Sequence, residues 1–363
     1  MSRLPPVRVV RAATAARAAI QTLTRRMVPP EVALLELTSG FMATHAIYAA
    51  ARLGIADVLA DGHLAPDDVA AEIGTDADAT HRLLRALASL GVLHEDPEGQ
   101  YSLTPLSQGL RTTTPDSMVP VVLFLGDPLY QAPWGQLTRT VQTGTPGAEA
   151  VLGMPMWQYL DHDPEFAARV NDAMTRLTDL DWPAVRAAYD VSGFSTIVDV
   201  GGGHGRLLSL MLDAAPSAKG VLLERAALVD GAERLLAEAG VLDRCRVEAG
   251  SFFESVPDDG DLYVLRRVIH DFDDEQAVAV LTTVRRHMPA GARLVVLESV
   301  VPSDSTPHFA KALDLDMMVF VGGRERTERE LTTVLDRAGL RVTRVVPTIS
   351  TLSVVEAVPA RHP

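Results

Sequence analysis

The sequence contains one cysteine and no long apolar run. Because Cys245 stands alone among 363 residues, an intramolecular disulfide and a zinc cluster built on cysteines are excluded. No stretch approaches the ~18 uninterrupted apolar residues of a membrane span, so we expect no membrane association. The formal charge of −14 argues against nucleic-acid binding by the whole surface. Nothing in this composition requires an oxidising compartment, and we expect a cytoplasmic protein.

Acidic residues are missing from the first 30 positions, although the chain as a whole is acidic. Glu31 is the first acid, and six arginines precede it: Arg3, Arg8, Arg11, Arg17, Arg25 and Arg26. We interpret residues 1–30 as a basic N-terminal arm that is either mobile or packed as a helix on a partner subunit. An arginine-rich mitochondrial leader is the alternative, whereas the arginines interrupt every apolar core that a secretory signal would need.

Residues 31–111 follow the order of a winged helix, which is three helices and then a hairpin. A helical pattern runs from Glu31 to about Leu59 with a break expected at Gly54, Pro66 suits the first turn of a second helix, and Asp78 can cap a third. Apolar segments on both sides of the turn at 96–99 predict the hairpin. Many winged helices bind DNA, but this module is rich in acids and lacks a basic face, so we expect it to pack or dimerise instead.

The remainder of the chain divides into an irregular part and a regular one. Residues 112–190 are rich in proline, and we interpret them as a helical connector that could form one wall of a pocket. From residue 191 to 363, apolar strands alternate with helices: strands at 196–200, 220–223, 246–249, 262–265 and 293–297, and helices at 206–214, 226–239 and 274–287. This alternation predicts an α/β domain of Rossmann-like type, with a mainly parallel sheet covered on both faces.

The first of these strands ends in a glycine-rich loop. Glycines at 201, 202, 203 and 205 let the backbone turn sharply and approach a ligand closely. The third glycine of the dinucleotide pattern is out of place, which disfavours a pyrophosphate at the helix N-terminus. Asp199 would repel phosphate but suits a ligand that carries an ammonium group. A tight strand–helix turn without a ligand is the alternative.

The ends of the next two strands extend the predicted ligand site. Glu224 ends the second strand about 20 residues after the loop, where an acid can accept hydrogen bonds from both hydroxyls of a ribose. Ser251 and Phe252 follow the third strand, and they could hydrogen-bond an adenine edge and pack on its face. Taken singly, Glu224 could be a solvated strand-end acid and Phe252 a core residue.

Together these segments resemble the S-adenosylmethionine (SAM)-dependent O-methyltransferases of the plant caffeic-acid type and their bacterial polyketide-tailoring relatives. The matching segments are Val198–Gly203, Gly250–Glu254, Leu265–Phe272 and Gly322–Thr327. The resemblance covers nearly all the chain after residue 30. It implies an enzyme of secondary metabolism that methylates a hydroxyl of a small molecule with SAM, and a homodimer formed through the N-terminal module without DNA binding.

The resemblance also assigns the residues of the cofactor site. It places Gly201, with Gly203 in the same loop, on the methionine portion, Glu224 on the ribose, Ser251 and Phe252 on the adenine, and Arg266 beside the cofactor. Two positions depart from the family pattern. Asp is frequent where Ser251 stands, which implies a weaker, neutral adenine contact here, and Trp is frequent where Phe272 stands, which is a smaller change.

His270 is the candidate general base. A phenol, with a pKa of roughly 10, is a poor nucleophile at neutral pH, and an imidazole titrates near neutrality. The imidazole needs a partner that fixes its tautomer, and the resemblance puts Glu298 and Glu325 beside it as orienting groups. Asp271 is the competitor for this role, because it is adjacent in sequence.

The acceptor pocket is predicted only in outline. Met174, Met317 and Phe320 lie in segments that resemble the walls of the family's acceptor pocket. Methionines adapt to flat aromatic ligands, but they also fill cores, so core packing is the alternative for these residues.

Three other functions remain open. A metal-dependent mechanism could use Asp271, Asp273 and Asp274, although acids at a helix start have an ordinary dipole explanation and the resemblance implies no metal. A family member with altered chemistry would hydroxylate, decarboxylate or methylate nitrogen, against which an intact His270 argues. A SAM-sensing winged-helix regulator would need a basic recognition surface, which this sequence does not display.

Overall fold

The computed structural model describes residues 7–360. These residues form two compact units, one made of residues 19–131 and 168–176 and the other of 7–18, 132–167 and 177–360. The predicted connector over 112–190 is therefore shared between the two units. The domain limits at residues 30, 111 and 190 stay predictions.

The N-terminal part is helical apart from one hairpin. Its helices are α1 (Val7–Arg26), α2 (Pro30–Thr38), α3 (Gly40–Arg52), α4 (Ile55–Val58), α5 (Pro66–Ile73) and α6 (Ala77–Ser89). The hairpin pairs β1 (Leu93–Glu95) with β2 (Tyr101–Leu103) in antiparallel register. Leu84, Leu87 and Tyr101 are fully buried in the core that joins the helices to the hairpin. The predicted order of helices and hairpin is thus present.

Local details of this part differ from the sequence predictions. The helical stretch expected from Glu31 to Leu59 is interrupted between α2 and α3, which was not predicted. Its expected break at Gly54 is present, where a φ of +68° is a left-handed conformation that glycine adopts readily. The cap predicted at Asp78 is wrong. Asp76 caps α6, because its side chain accepts the N–H of Ala79 at 2.9 Å, whereas Asp78 lies within the first turn. Most of the predicted arm is helical as α1, and its first six residues lie outside the described part.

The proline-rich stretch forms a series of helices. They are α7 (Val119–Leu125), α8 (Pro128–Trp134), α9 (Leu137–Thr143), α10 (Gly147–Leu152), α11 (Met156–His162) and α12 (Pro164–Ala188). Most of them begin at or beside a proline, since the fixed φ of proline suits a first turn whose N–H groups are unpaired. The side chain of Asp163 caps α12 by accepting the N–H of Phe166 at 2.9 Å.

The C-terminal part contains a seven-stranded sheet with the order β5-β4-β3-β6-β7-β9-β8. Its strands are β3 (Thr196–Val200), β4 (Lys219–Glu224), β5 (Cys245–Ala249), β6 (Leu262–Arg266), β7 (Arg293–Glu298), β8 (Leu340–Pro347) and β9 (Ser353–Pro359). The helices are α13 (Arg206–Ala214), α14 (Val229–Glu238), α15 (Asp274–His287), α16 (Phe309–Phe320) and α17 (Glu328–Arg337). Strands β3 to β7 are parallel, and β8 and β9 add an antiparallel edge. The α/β, mainly parallel fold is confirmed.

Both faces of the parallel strands are buried. Val198, Val200 and Leu265 face one apolar core, and Ile197, Leu222 and Val264 face a second core on the opposite side of the sheet. Strands β4 and β6 lie on opposite sides of β3, so the chain reverses its winding direction there. A crevice at the carboxyl ends of such strands is where α/β sheets bind their ligands. Among the residues described, no helix is long and apolar enough to span a membrane.

Candidate active site

The glycine-rich loop leaves β3 in a conformation that side chains disfavour. Gly201 has a φ of +70° and Gly203 a φ of +59°, both in the left-handed region. A Cβ atom at Gly201 would lie 3.2 Å from the Phe252 ring and from a methyl group of Val268. The loop is therefore packed beside Phe252.

Glu224 joins the end of β4 to this loop. One carboxylate oxygen accepts the N–H of Gly203 and the other accepts the N–H of Arg225, each at 2.8 Å. Burial raises the pKa of Glu224, and the two backbone N–H groups lower it. A carboxylate oxygen can accept more than one hydrogen bond, so Glu224 retains acceptor capacity for a ligand hydroxyl.

Asp199 is fully buried at the end of β3, and Gly202 lies directly against its carboxylate. Neither carboxylate oxygen makes a hydrogen bond of normal geometry with a described residue. Burial, followed by the nearby charge of Glu224, raises the pKa of Asp199 to about 7. A buried acid with open acceptor positions is suited to a cationic ligand group, since pairing would offset the cost of its ionised form.

Aromatic rings surround the loop that follows β5. Phe252 lies 6.0 Å from the Phe272 ring between centroids, and Phe253 lies 5.1 Å from the same ring. The hydroxyl of Ser251 accepts the N–H of Phe253 at 3.3 Å, which fixes the turn. The cluster offers an apolar ring surface next to Gly201, as an adenine contact would require.

Arg266 ends β6 as a cation whose side chain is 9% exposed. Its guanidinium donates to Asp181 at 2.8 Å, and Arg267 reaches the same carboxylate at 3.5 Å. Burial lowers the pKa of Arg266 to about 10, so it stays charged at neutral pH. Asp181 was not predicted as part of the site, because it lies in α12 and no local motif connects it to β6.

His270 lies in a one-turn 3₁₀ helix, Ile269–Asp271, just after β6. It is 6% exposed, and its Nδ1 lies 2.8 Å from Glu325 Oε1, which is hydrogen-bond distance. Glu298 Oε2 is 3.5 Å from the same nitrogen. Both acids predicted to accompany His270 are therefore beside it, with Glu325 the closer of the two.

Glu298 is held by the backbone of the turn itself. Its Oε1 accepts the N–H groups of Val268 and Ile269, each at 3.1 Å. Arg267, which precedes them, has a φ of +53°, and it is the only non-glycine residue among those described with a positive φ. This conformation turns the chain out of β6 so that two successive N–H groups converge on one carboxylate.

Two further acids bear on the histidine. Asp271 Oδ1 lies 3.5 Å from His270 Nε2, beyond a good hydrogen bond, so Asp271 is less well placed to orient the ring than Glu325. Burial raises the pKa of Asp271 to about 7. The cap of α15 is Asp273, whose side chain accepts the N–H of Gln276 at 2.8 Å.

A metal ion could be considered at this cluster, because ligand atoms of His270, Glu298 and Glu325 all lie within 4.8 Å of one another. This set differs from the three aspartates considered in the sequence. His270 Nδ1 and Glu325 Oε1 already lie at hydrogen-bond distance of each other, 2.8 Å apart. The donor set therefore has an explanation without a metal, and metal independence stays a prediction.

The candidate acceptor residues occupy two helices. Met317 and Phe320 lie on α16, where Met317 is half-buried and Phe320 is 6% exposed. Met174 is half-buried on α12, in the part that belongs to the other compact unit. Their roles in acceptor binding stay predictions.

The chain is similar to known O-methyltransferases. An O-methyltransferase domain matches residues 134–341, and an O-methyltransferase dimerisation domain matches residues 35–113. The chain is 41% identical over 332 residues to a phenazine O-methyltransferase of Lysobacter antibioticus, covering 92% of this chain and 97% of that protein. It is 38% identical over 333 residues to the O-demethylpuromycin O-methyltransferase of Streptomyces alboniger, covering 90% and 88%.

Similar enzymes differ in the atom that they methylate. A methyltransferase of calicheamicin biosynthesis, solved with S-adenosylhomocysteine bound, matches with a TM-score of 0.81 and 36% identity, covering 91% of this chain and 98% of that one. An 8-amino-8-demethylriboflavin N,N-dimethyltransferase of Streptomyces davaonensis is 34% identical over 314 residues, covering 85% and 90%.

This chain belongs to the O-methyltransferase family. It is a SAM-dependent methyltransferase that carries the family's dimerisation domain, which supports homodimer formation. The residues present fit the cofactor: Asp199 is an unpartnered buried acid suited to its ammonium group, and Gly203 has open space where a side chain would stand.

Proposed function

We propose that this enzyme transfers the methyl group of SAM to a hydroxyl of a small aromatic or polyketide-like molecule. The observation that carries this proposal is the buried hydrogen bond of 2.8 Å between His270 Nδ1 and Glu325. With its Nδ1 proton donated to an ionised Glu325, His270 has Nε2 free to accept the proton of the acceptor hydroxyl. SAM, when bound, supplies a methyl group activated by a sulfonium.

Glu298 has a supporting role in this proposal. It is fixed by two backbone N–H groups and lies 3.5 Å from Nδ1, so its charge would stabilise the imidazolium formed when His270 takes the proton. Glu325 sets the tautomer through the shorter contact.

We assign the cofactor contacts to the strand ends. Gly201 and Gly203 allow close approach of the methionine portion, Asp199 pairs with its ammonium group, and Glu224 accepts from the ribose. Ser251 and Phe252 contact the adenine, and Arg266 lies beside the cofactor, neutralised by Asp181 at 2.8 Å. On the acceptor side, Met174, Met317 and Phe320 are the proposed contacts, and they do not identify the acceptor.

We further propose a cytoplasmic homodimer that binds neither nucleic acid nor membranes. Apolar side chains are exposed along the first three helices and in the turn after α1: Ile20, Leu23, Met27, Leu34, Leu35, Phe41 and Met42. Their burial against a second copy would remove a large apolar surface from water. Light scattering that gives a monomer at micromolar concentration would contradict this part of the proposal.

Methylation of nitrogen is the second candidate. The N,N-dimethyltransferase similarity over 85% of this chain favours it. A neutral aromatic amine needs less help from a base than a phenol does, so the two functions differ in how strongly they depend on His270.

The first test is calorimetric titration with SAM of the wild type, of Glu224→Ala and of the matched control Glu238→Ala, whose side chain is exposed on α14. We expect binding to the wild type and to the control, and its loss in Glu224→Ala. A folded wild type that does not bind SAM would contradict the cofactor assignment.

The second test screens phenols and matched anilines as acceptors with the wild type, His270→Ala and the exposed-histidine control His94→Ala. Turnover of phenols that only His270→Ala loses supports O-methylation. Turnover restricted to anilines, or phenol turnover that persists in His270→Ala, would contradict it. Activity lost with a chelator and restored by a metal ion would overturn the metal-free mechanism.

A further inference from the structure

Arg326 is a buried cation whose side chain faces the backbone around the one-turn 3₁₀ helix Ile269–Asp271, which carries His270. The residue is 2% exposed. Its Nη1 donates to the carbonyl of Ile269 and its Nη2 to the carbonyl of Phe272, each at 2.9 Å, and its Nε donates to Asp274 at 2.9 Å. The guanidinium therefore contacts the turn on both sides of His270.

The turn depends on outside partners because it is short. A single turn of 3₁₀ helix leaves most of its own carbonyls without an internal donor, and buried carbonyls without a partner are costly. The planar guanidinium has several N–H donors in a fixed geometry, so it can satisfy two carbonyls and a carboxylate together.

The segment that contains Arg326 also carries Glu325. Within it, the N–H of Arg324 donates to the carbonyl of His270 at 2.8 Å. The carbonyl of Arg326 accepts the N–H of Val301 at 2.9 Å, which ties the segment to the chain just beyond β7. The backbone of His270 and the acid that orients its ring are thus held by one short stretch.

We propose that Arg326 is a positioning residue for methyl transfer: its guanidinium holds the His270 turn at the place where Nδ1 meets Glu325. It does not contact the reacting groups itself. The inference depends on the base role of His270 in the proposed function, but the position of the imidazole can be measured without turnover.

The test compares Arg326→Lys with the wild type and with Arg337→Lys. A lysine is a point donor, so it cannot replace the planar contacts to both carbonyls. Arg337 is the matched control, since its exposed side chain joins α17 to Glu275 on α15, away from His270. Because a displacement of about 1 Å at a catalytic group can cost ~100-fold, we expect kcat to fall roughly 10- to 100-fold in Arg326→Lys. SAM affinity should be unchanged, and the control should resemble the wild type.

A second readout reports on the imidazole itself. In ¹⁵N spectra of histidine-labelled protein, the Nδ1 signal of His270 should shift in Arg326→Lys toward that of an imidazole without a carboxylate partner, and remain in place in Arg337→Lys. A folded Arg326→Lys protein with wild-type kcat and an unmoved Nδ1 signal would overturn the proposal. If no acceptor is turned over even by the wild type, the proposed function fails, while the Nδ1 signal still decides the role of Arg326.

A milder variant covers the case in which Arg326→Lys does not fold. Asp274→Asn removes the charged acceptor of Nε while keeping its size, and the Asp274 side chain is 39% exposed. We expect a smaller fall in kcat and a smaller shift of the Nδ1 signal in the same direction. No change in either would overturn the proposal.

Discussion

Replacement of Glu325 by glutamine tests the catalytic pair most directly. The side chain keeps its size, but Oε1, which lies 2.8 Å from His270 Nδ1, loses its charge. A hydrogen bond to a charged group contributes about 1.5–3 kcal/mol, and one between neutral groups contributes about 1 kcal/mol. The difference of roughly 0.5–2 kcal/mol corresponds to about a 2- to 30-fold lower kcat.

The pH dependence should change as well. Burial raises the pKa of Glu325 to about 8, although the charges of Arg267 and Arg326 lower it. Below that pH a protonated Glu325 would donate to Nδ1, which leaves the remaining proton on Nε2, where it prevents His270 from acting as a base. The wild-type rate should therefore rise as pH increases through about 8, and Glu325→Gln should lose this rise.

The assay is initial-rate formation of S-adenosylhomocysteine with a phenolic acceptor at saturating SAM, over a pH series. Glu298→Gln is the matched comparison, because Glu298 is also buried but lies 3.5 Å from Nδ1, and we expect it to lose less activity. A Glu325→Gln enzyme with the rate and the pH profile of the wild type would refute the orienting role.

Two other predictions concern stability. A methyl group at Gly323 would overlap the carbonyl oxygen of His270 and the backbone of Asp271. Gly323→Ala should therefore lower the free energy of unfolding by roughly 1–3 kcal/mol in urea titrations. Gly193→Ala, which has open space around it, is the control, and equal stability of the two variants would contradict the clash. Burial raises the pKa of Asp199 and Asp271 to about 7, so in the folded protein these acids retain protons that the unfolded chain releases near its ordinary pKa of 3.8. Unfolding free energy should thus decrease as pH rises from about 4 to about 7, and less so in Asp199→Asn; an identical pH dependence in the variant would refute the assignment for Asp199.

Features set by a dense local pattern could be predicted from the sequence. Helix α15 has its predicted bounds, because the acids that begin it and the apolar stripe along it are local signals. Strand β3 also has its predicted bounds, since a buried apolar run meets the glycine loop there. Asp199 and Glu224 come together at strand ends because parallel strands present their carboxyl ends at one edge.

The last two strands of the sheet show what local sequence patterns do not predict. Strands β8 and β9 were not predicted, although β9 is largely buried between β7 and β8. An antiparallel strand is selected by its neighbours as much as by its own pattern, so the pairing of β9 with β7 is a tertiary property. His270 and Glu325 are 55 residues apart, and their pairing was likewise predicted from the family resemblance and not from their spacing.

The pairing of charged side chains shows why part of the site could not be predicted from the sequence. Arg266 and Arg267 stand side by side at the end of a buried strand, and buried cations are costly unless they are paired. The sequence therefore requires an acid from elsewhere in the fold, but a chain with 47 acidic residues offers many candidates. Asp181 lies 85 residues from Arg266 and is selected only because α12 brings it within 2.8 Å of the guanidinium. Adjacent arginines at the end of a buried strand thus predict that a distant acid completes the site, while the tertiary structure alone identifies that acid.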